Sequence, residues 1–255
     1  MVNYKSPREL SVMREAGRVV HNTLERVAAA AEPGISLLEL DAIAARCIKE
    51  HGARSSFLHY RPRYAPTPYP AVLCLSVNEV VVHGIPTGRT LREGDLLSID
   101  CGAEVGGYHG DAAITISIGP PDEGAARLME TTRHALERAI EAARPGARLG
   151  DVSHAVETVG REAGYGILAD CGGHGIGTAM HEDPSVSNTG LPGRGLRLRE
   201  GLTIAIEPMF HEGGDDEGRT LADGWSIVTA DGSRAAHFEH SIAVTADGPI
   251  ILTGP

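Results

Sequence analysis

One internal repeat limits what this chain can fold into. EPGISLLELDAIAARCIKEHG, residues 32–52, aligns without gaps with RPGARLGDVSHAVETVGREAG, residues 144–164, at an offset of 112. The two copies share a Pro-Gly helix stop, a leucine three positions on and a terminal glycine. Further along, REGDLLSID (92–100) answers REGLTIAIE (199–207), so that an acid closes each segment, and HGIP at His83 answers HEDP at His181. Three matches in one order predict two similar α+β halves, residues 1–121 and 122–255, facing each other about a pseudo-twofold axis within one domain, residues 1–255.

The stretch LLSIDCGAEVGGYHGD, residues 96–111, reads as a β-hairpin. Leu97 and Ile99 alternate with Leu96, Ser98 and Asp100 before the turn, and Asp111, Ala113 and Thr115 alternate with Ala112, Ile114 and Ile116 after it. A loop at Val105 and Gly106 sets Asp100 opposite Asp111. A loop at Gly106 and Gly107 slides the register by two and keeps both acids on one face. Carboxylates held that close repel unless a proton or a cation lies between them, whereas on an exposed sheet they are merely solvated.

Elsewhere the elements follow from local signals. Ser6 with Glu9, and Ser36 with Glu39, are capping boxes that open helices stopped at Pro33 and near Gly52. Residues 60–70 hold four prolines and no period, which predicts a loop or extended lid. Residues 71–82 read as strand, residues 123–144 as a third helix, and Asp151 as the start of a fourth that ends at Gly164. The net charge of -11 argues against a basic nucleic-acid-binding surface. No apolar run has signal-peptide or membrane-spanning length, so a cytoplasmic protein with no membrane role is expected. Cys47, Cys74, Cys101 and Cys171 show no CxxC spacing and are expected to be free thiols.

The second half carries acids of its own. Glu207 follows Thr203 and Ala205 on the small-residue face of a strand, and Glu239 shares a face with His237 and Ser241. His174 lies in CGGHGIG, where glycines permit close approach. Asp100, Asp111, His174, Glu207 and Glu239 together form an oxygen-rich set suited to Mn, Fe, Co or Zn, with four negative charges to balance two divalent ions. Such a pair supplies a nucleophile at neutral pH and polarises a carbonyl, as amide hydrolysis requires. His83 and His181, outside that set, read either as groups that bind an oxyanion and a substrate amide or as satisfied core histidines.

The run NEVVVHGIP, DCGAEVGGYHGD, GHGIGTAMHEDP, TIAIEPM, DGW and HFEHS resembles the type I methionine aminopeptidases of the pita-bread fold, in their short bacterial form. The resemblance implies an α+β pita-bread fold with two pseudo-twofold-related halves around a curved antiparallel sheet. It implies a dinuclear site at Asp100, Asp111, His174, Glu207 and Glu239, with Glu207 also the general base. His181 would support the tetrahedral intermediate and His83 would contact the substrate near the scissile amide. The substrate would be a peptide N-terminus bearing the initiator methionine and a small second residue. Tyr69, Cys74, Met180 and Trp225 would wall the methionine pocket, although the family usually reaches it through GYP or GFP and places an aromatic residue where this chain has Met180. The family often has lysines between EPM and DGW, whereas Glu212, Asp215, Asp216 and Glu217 stand here and should repel rRNA phosphates. Weak ribosome docking through Arg194, Arg197 and Arg199, and a monomeric state, are the expectations. A prolidase or aminopeptidase P, which usually carries an additional N-terminal domain, is the nearest enzymatic rival. A binding module that has lost catalysis would lack a ligand, and all five are present.

Overall fold

The computed structural model describes residues 2–63, 65–168 and 171–255. The first half runs α1 (Pro7–Ala30), α2 (Leu37–Glu50), β1 (Arg54–Ser55), β2 (Leu73–Val77), β3 (Val80–Val82), β4 (Leu96–Val105) and β5 (Tyr108–Ser117). The second runs α3 (Glu123–Ala142), α4 (Leu149–Glu162), β6 (Gly166–Ile167), β7 (Gly172–Gly175), β8 (Glu182–Ser187) and β9 (Thr203–Ile206). It ends with β10 (Met209–His211), β11 (Gly218–Thr220), β12 (Ile227–Thr229), β13 (Ala235–His237), β14 (Glu239–Thr245) and β15 (Gly248–Ile251). Both predicted capping boxes are formed, each serine side chain and N3 glutamate satisfying the other's backbone amide. α4 begins at Leu149, ahead of the expected Asp151, because Asp151 occupies the N3 place: its carboxylate accepts from the Arg148 amide at 2.7 Å. Arg148 is thus the counterpart of the cap Ser36, at the repeat offset of 112.

The repeat persists at the level of single hydrogen bonds. Gly34 N donates to Leu91 O and Gly146 N to Leu198 O, both at 2.9 Å. The return bonds, Leu91 N to Ile35 O and Leu198 N to Ala147 O, measure 2.9 and 2.8 Å. Gly34 and Gly146 turn the chain with φ of 98° and 93°, a left-handed conformation that glycine adopts without steric cost.

A nine-stranded antiparallel sheet runs β1-β4-β5-β14-β9-β7-β8, with β2 also on β4 and β15 also on β14, so strands from both halves meet at β5 and β14. Two three-stranded sheets, β13-β10-β6 and β11-β12-β3, complete the β structure among the described residues. α1 and α2 cover the first half's strands around Val20, Leu40, Leu75 and Ile99, while α3 and α4 cover β9 and β14 around Leu128, Val156, Ile204 and Ile242. Each fully buried aliphatic side chain contributes ~1.5 to 3 kcal/mol, so each half has its own apolar cluster holding helices to strands. No helix among the described residues is long and apolar enough to cross a membrane.

One sequence reading needs correction, and one left open between two registers is decided. Residues 71–82 form two strands, because the chain turns at Asn78, whose φ is 55°. The Asn78 side chain holds that turn, accepting from Leu96 N and donating to Asp95 Oδ1, both at 2.9 Å. In the β4–β5 hairpin the turn residues are Gly106 and Gly107, with φ of 59° and 85°, which Val105 would resist. Asp100 therefore faces Ala113 and Asp111 faces Gly102, so the two acids share a face diagonally and do not stand opposite each other.

Candidate metal centre

The hairpin contributes two acids to the hollow of the sheet. Asp100 lies on β4 between Ala113 of β5 and Cys74 of β2, so the first strand after the proline-rich loop is its cross-strand neighbour. Asp111 is fixed through its backbone: its amide donates to Ser241 Oγ at 3.0 Å, and Ser241 Oγ donates to Asp111 O at 2.8 Å. Glu239 begins β14 opposite Ala113, which brings it beside both aspartates. Glu207 comes just after β9, where Pro208, having no amide proton, ends the ladder. β4 by contrast runs on past Asp100 to Val105, so the two repeat-related acids sit on differently shaped backbones.

His174 is buried on β7, and its Nδ1 lies 2.9 Å from Gly175 O. A carbonyl only accepts, so Nδ1 carries the proton and Nε2 presents a lone pair. That Nε2 lies 3.7 Å from Asp111 Oδ2 and 3.8 Å from Glu207 Oε1.

All four carboxylic acids are buried, and in the protein alone their proton affinities rise. Desolvation is the largest cause for each, and it takes Asp100 up to about 7. Asp111, pressed by the charges of Asp100 and Glu207, and Glu239, pressed by Asp111 and Asp100, are raised well above the usual carboxylate range. Glu207, pressed by Glu239 and Asp100, is raised likewise. Burial has the opposite effect on imidazoles, bringing His83 and His174 down to about 4 and His181 to about 3. Near neutral pH the site therefore offers acids that would ionise given a cation and imidazoles already neutral.

This donor set suits a divalent metal. Asp100 Oδ1, Asp111 Oδ1 and Glu239 Oε1 are buried without a hydrogen-bond partner, a cost that a cation would remove. The donor atoms of Asp111, His174 and Glu239 lie within 4.8 Å of one another, and so do those of Glu207, His237 and Glu239. His237, noted in the sequence only for the face it shares with Glu239, thus joins the cluster.

The expected residues line one cavity: Asp100, Asp111, His174, Glu207 and Glu239 together with Tyr69, Cys74, His83, Met180, His181 and Trp225. Phe57, Tyr60 and Val82 also line it and were not anticipated. Tyr69 meets Trp225 edge to face at 5.0 Å and Phe57 at 6.4 Å, and its hydroxyl donates to Gly84 O at 2.8 Å. Trp225 Nε1 donates to Thr67 O at 3.1 Å, which ties the proline-rich loop to the wall. His181 stacks on Tyr60 at 5.1 Å and lies 4.1 Å from the His174 ring. His83, with φ of 61°, turns edge-on to Trp225 at 6.2 Å. A wider open groove adjoins the cavity and shares Val82, His83, His181, Glu207 and Trp225 with it.

The 212–217 segment is less negative than its composition suggests. Glu212 pairs with Arg234 and Asp216 with Arg161, at 2.8 and 2.5 Å. None of the four cysteines is in a disulfide.

The sequence profile of metallopeptidase family M24 matches residues 11–246. The chain is 50% identical over 260 residues to methionine aminopeptidase 1 of Mycobacterium tuberculosis, covering 99% of this chain and 95% of that one. It is 45% identical over 253 residues to methionine aminopeptidase 1 of Bacillus subtilis, covering 99% of both. The crystal structure of methionine aminopeptidase from Thermotoga maritima superposes with a TM-score of 0.95 at 41% identity over 100% of both chains. Prolidase from Pyrococcus furiosus shares the fold, with a TM-score of 0.76 at 23% identity over 99% of this chain and 65% of that one.

Proposed function

The chain belongs to metallopeptidase family M24, and on that premise we propose that it removes the N-terminal methionine from proteins and peptides whose second residue is small. The observation that carries this reading is one cavity whose lining combines four carboxylates and an imidazole with the side chains of Tyr69, Cys74, Met180 and Trp225. An unbranched apolar side chain fits such a slot, and Met180 supplies a polarizable thioether that adapts to it. Relatives named methionine aminopeptidase over nearly their whole length support the same substrate.

Asp100, Asp111, His174, Glu207 and Glu239 would hold two divalent ions of the Mn, Fe, Co or Zn type, whose charge the four carboxylates balance. When bound, such ions supply Lewis acidity and a nucleophile at neutral pH. Glu207, at the junction of the cavity and the groove, accepts the proton of the attacking water and passes it toward the leaving amine. His181, neutral at pH 7, donates its N–H to the oxyanion and is held in plane by Tyr60. His83 contacts the substrate beside the scissile amide. The groove beyond His83 and His181 takes the second residue and the chain that follows. There a large second side chain would meet the two imidazoles. Any ribosome contact falls to Arg194, Arg197 and Arg199, all exposed.

The test is turnover of Met-Ala, Met-Leu and Xaa-Pro peptides by the metal-reconstituted protein. Met-Ala is expected to be fastest. Norleucine in place of methionine should be cut slowly and not rejected, since one methylene in an apolar pocket is worth ~1 to 3 kcal/mol. Equal rates on Met-Ala and Met-Leu, or a faster Xaa-Pro peptide, would overturn the reading.

A further inference from the structure

Beside Glu207 and Glu239 lies a second imidazole that the five-residue set does not use. His237 is 1% exposed, and its Nε2 is 3.7 Å from Glu207 Oε2 and 3.7 Å from Glu239 Oε2. Both separations exceed hydrogen-bond length, and the nitrogen has no other partner. A buried imidazole nitrogen aimed between two carboxylate oxygens, bonded to neither, leaves a gap of the kind an ion fills. Two ligand atoms each ~2.1 Å from one cation stand ~3.4 to 3.6 Å apart at tetrahedral to trigonal angles, close to the separations seen.

The backbone holds the ring there. β13 ends at His237 and β14 begins at Glu239, so the chain passes from one sheet to another at Phe238, whose amide donates to Pro208 O at 3.3 Å. The neighbouring crossing, Glu207 to Met209, runs alongside it. Thr115 Oγ1 clamps His237 at both ends of its peptide unit, accepting from His237 N and donating to His237 O, each at 2.8 Å. Ser98 Oγ, 2.8 Å from the same hydroxyl, supports the clamp. The imidazole is therefore positioned from both hairpin strands that carry the aspartates.

His174 and His237 also divide Glu207 between them. His174 Nε2 faces Oε1 at 3.8 Å and His237 Nε2 faces Oε2 at 3.7 Å. We propose that His237 is a sixth metal ligand, its Nε2 coordinating a cation held by Glu207 and Glu239. This rests on the two-ion reading above and adds a ligand to it.

The experiment compares the full chain with its His237→Gln variant, both loaded with cobalt(II). X-ray absorption counts imidazoles per metal, and calorimetric titration follows each binding step. The wild type should take two ions with an average of one imidazole each. His237→Gln should fall to half an imidazole per ion, with one step weakened by at least ~10-fold. Equal melting temperatures of the two metal-free proteins would show that the fold is kept; if His237→Gln melts lower, the wild-type imidazole count alone decides. Two ions with half an imidazole each in the wild type would overturn the sixth ligand and leave the two-ion reading standing. A wild type that binds no second cobalt would overturn both.

Discussion

Glu207 is the residue on which both ends of the site depend, since its two oxygens face different imidazoles and its carboxyl lines both the cavity and the open groove. Glu207→Gln keeps the shape and removes the charge and the base. Turnover should become undetectable and metal content, read by elemental analysis, should fall, while the metal-free variant melts no lower than wild type because a buried acid has been made neutral. His181→Ala should behave differently. Its ring packs on Tyr60 and His174, and it lies outside the carboxylate set, so metal content should stay near wild type while kcat drops ~10²-fold, the usual loss for one oxyanion donor. A change confined to KM would contradict the role given to it. The residues legible in the sequence were those set in short motifs with their own glycines and prolines, such as His174 in GHGIG or Glu207 before Pro208. Phe57, Tyr60 and His237 were not, because the irregular chain between β1 and β2 and a strand break at Phe238 decide where they point, and neither has a periodic signal.

At the scale of elements, the aspartate hairpin is held against α1 by a contact between backbones. A Cβ on Gly110 would lie 2.9 Å from Gly17 N, and one on Gly17 would lie 2.0 Å from Leu252 O. Gly110→Ala should therefore push α1 off the strand next to Asp111 and destabilise the protein by ~1 to 3 kcal/mol, as overpacking does. Denaturant unfolding of the metal-free protein measures this, and a variant as stable as wild type would show that the helix shifts freely. Helix starts were readable because a cap is a local contest between a side chain and the first free amides, settled within four residues. The one helix start misplaced, that of α4, has an arginine at the cap position, so only the N3 acid announced it. Strand limits were less readable. Where β2 gives way to β3 depends on Asn78 reaching Asp95 and Leu96, a contact made only once the hairpin is in place.

At the scale of the molecule, the two halves close on a cluster of like charges, and this makes stability depend on pH in a way that a metal should reverse. The raised carboxylates, Asp100 at about 7 with Asp111, Glu207 and Glu239 well above the usual range, hold protons in the fold that the unfolded chain gives up. For such groups stability falls as pH rises from the unfolded values toward the folded ones. The lowered imidazoles, His83 and His174 at about 4 and His181 and His237 at about 3, work the other way, adding stability as pH rises to their ordinary value of 6.5. Below 6.5 the two effects oppose each other. Above it the imidazoles are neutral in both states, and until the buried thiols Cys74 and Cys101 approach their ordinary value of 9.0 only the carboxylates remain. Between about pH 6.5 and 8 the chelator-treated protein should therefore melt at progressively lower temperature. With a divalent ion in excess the acids are held ionised and the decline should vanish, with a gain of ~2.7 kcal/mol at a free ion concentration 100 times Kd. Binding should also release protons and tighten as pH rises over the same window. Scanning calorimetry with and without chelator reads both effects, and a metal-free melting temperature that is flat or rising between pH 6.5 and 8 would show that these four carboxylates do not share one dry site.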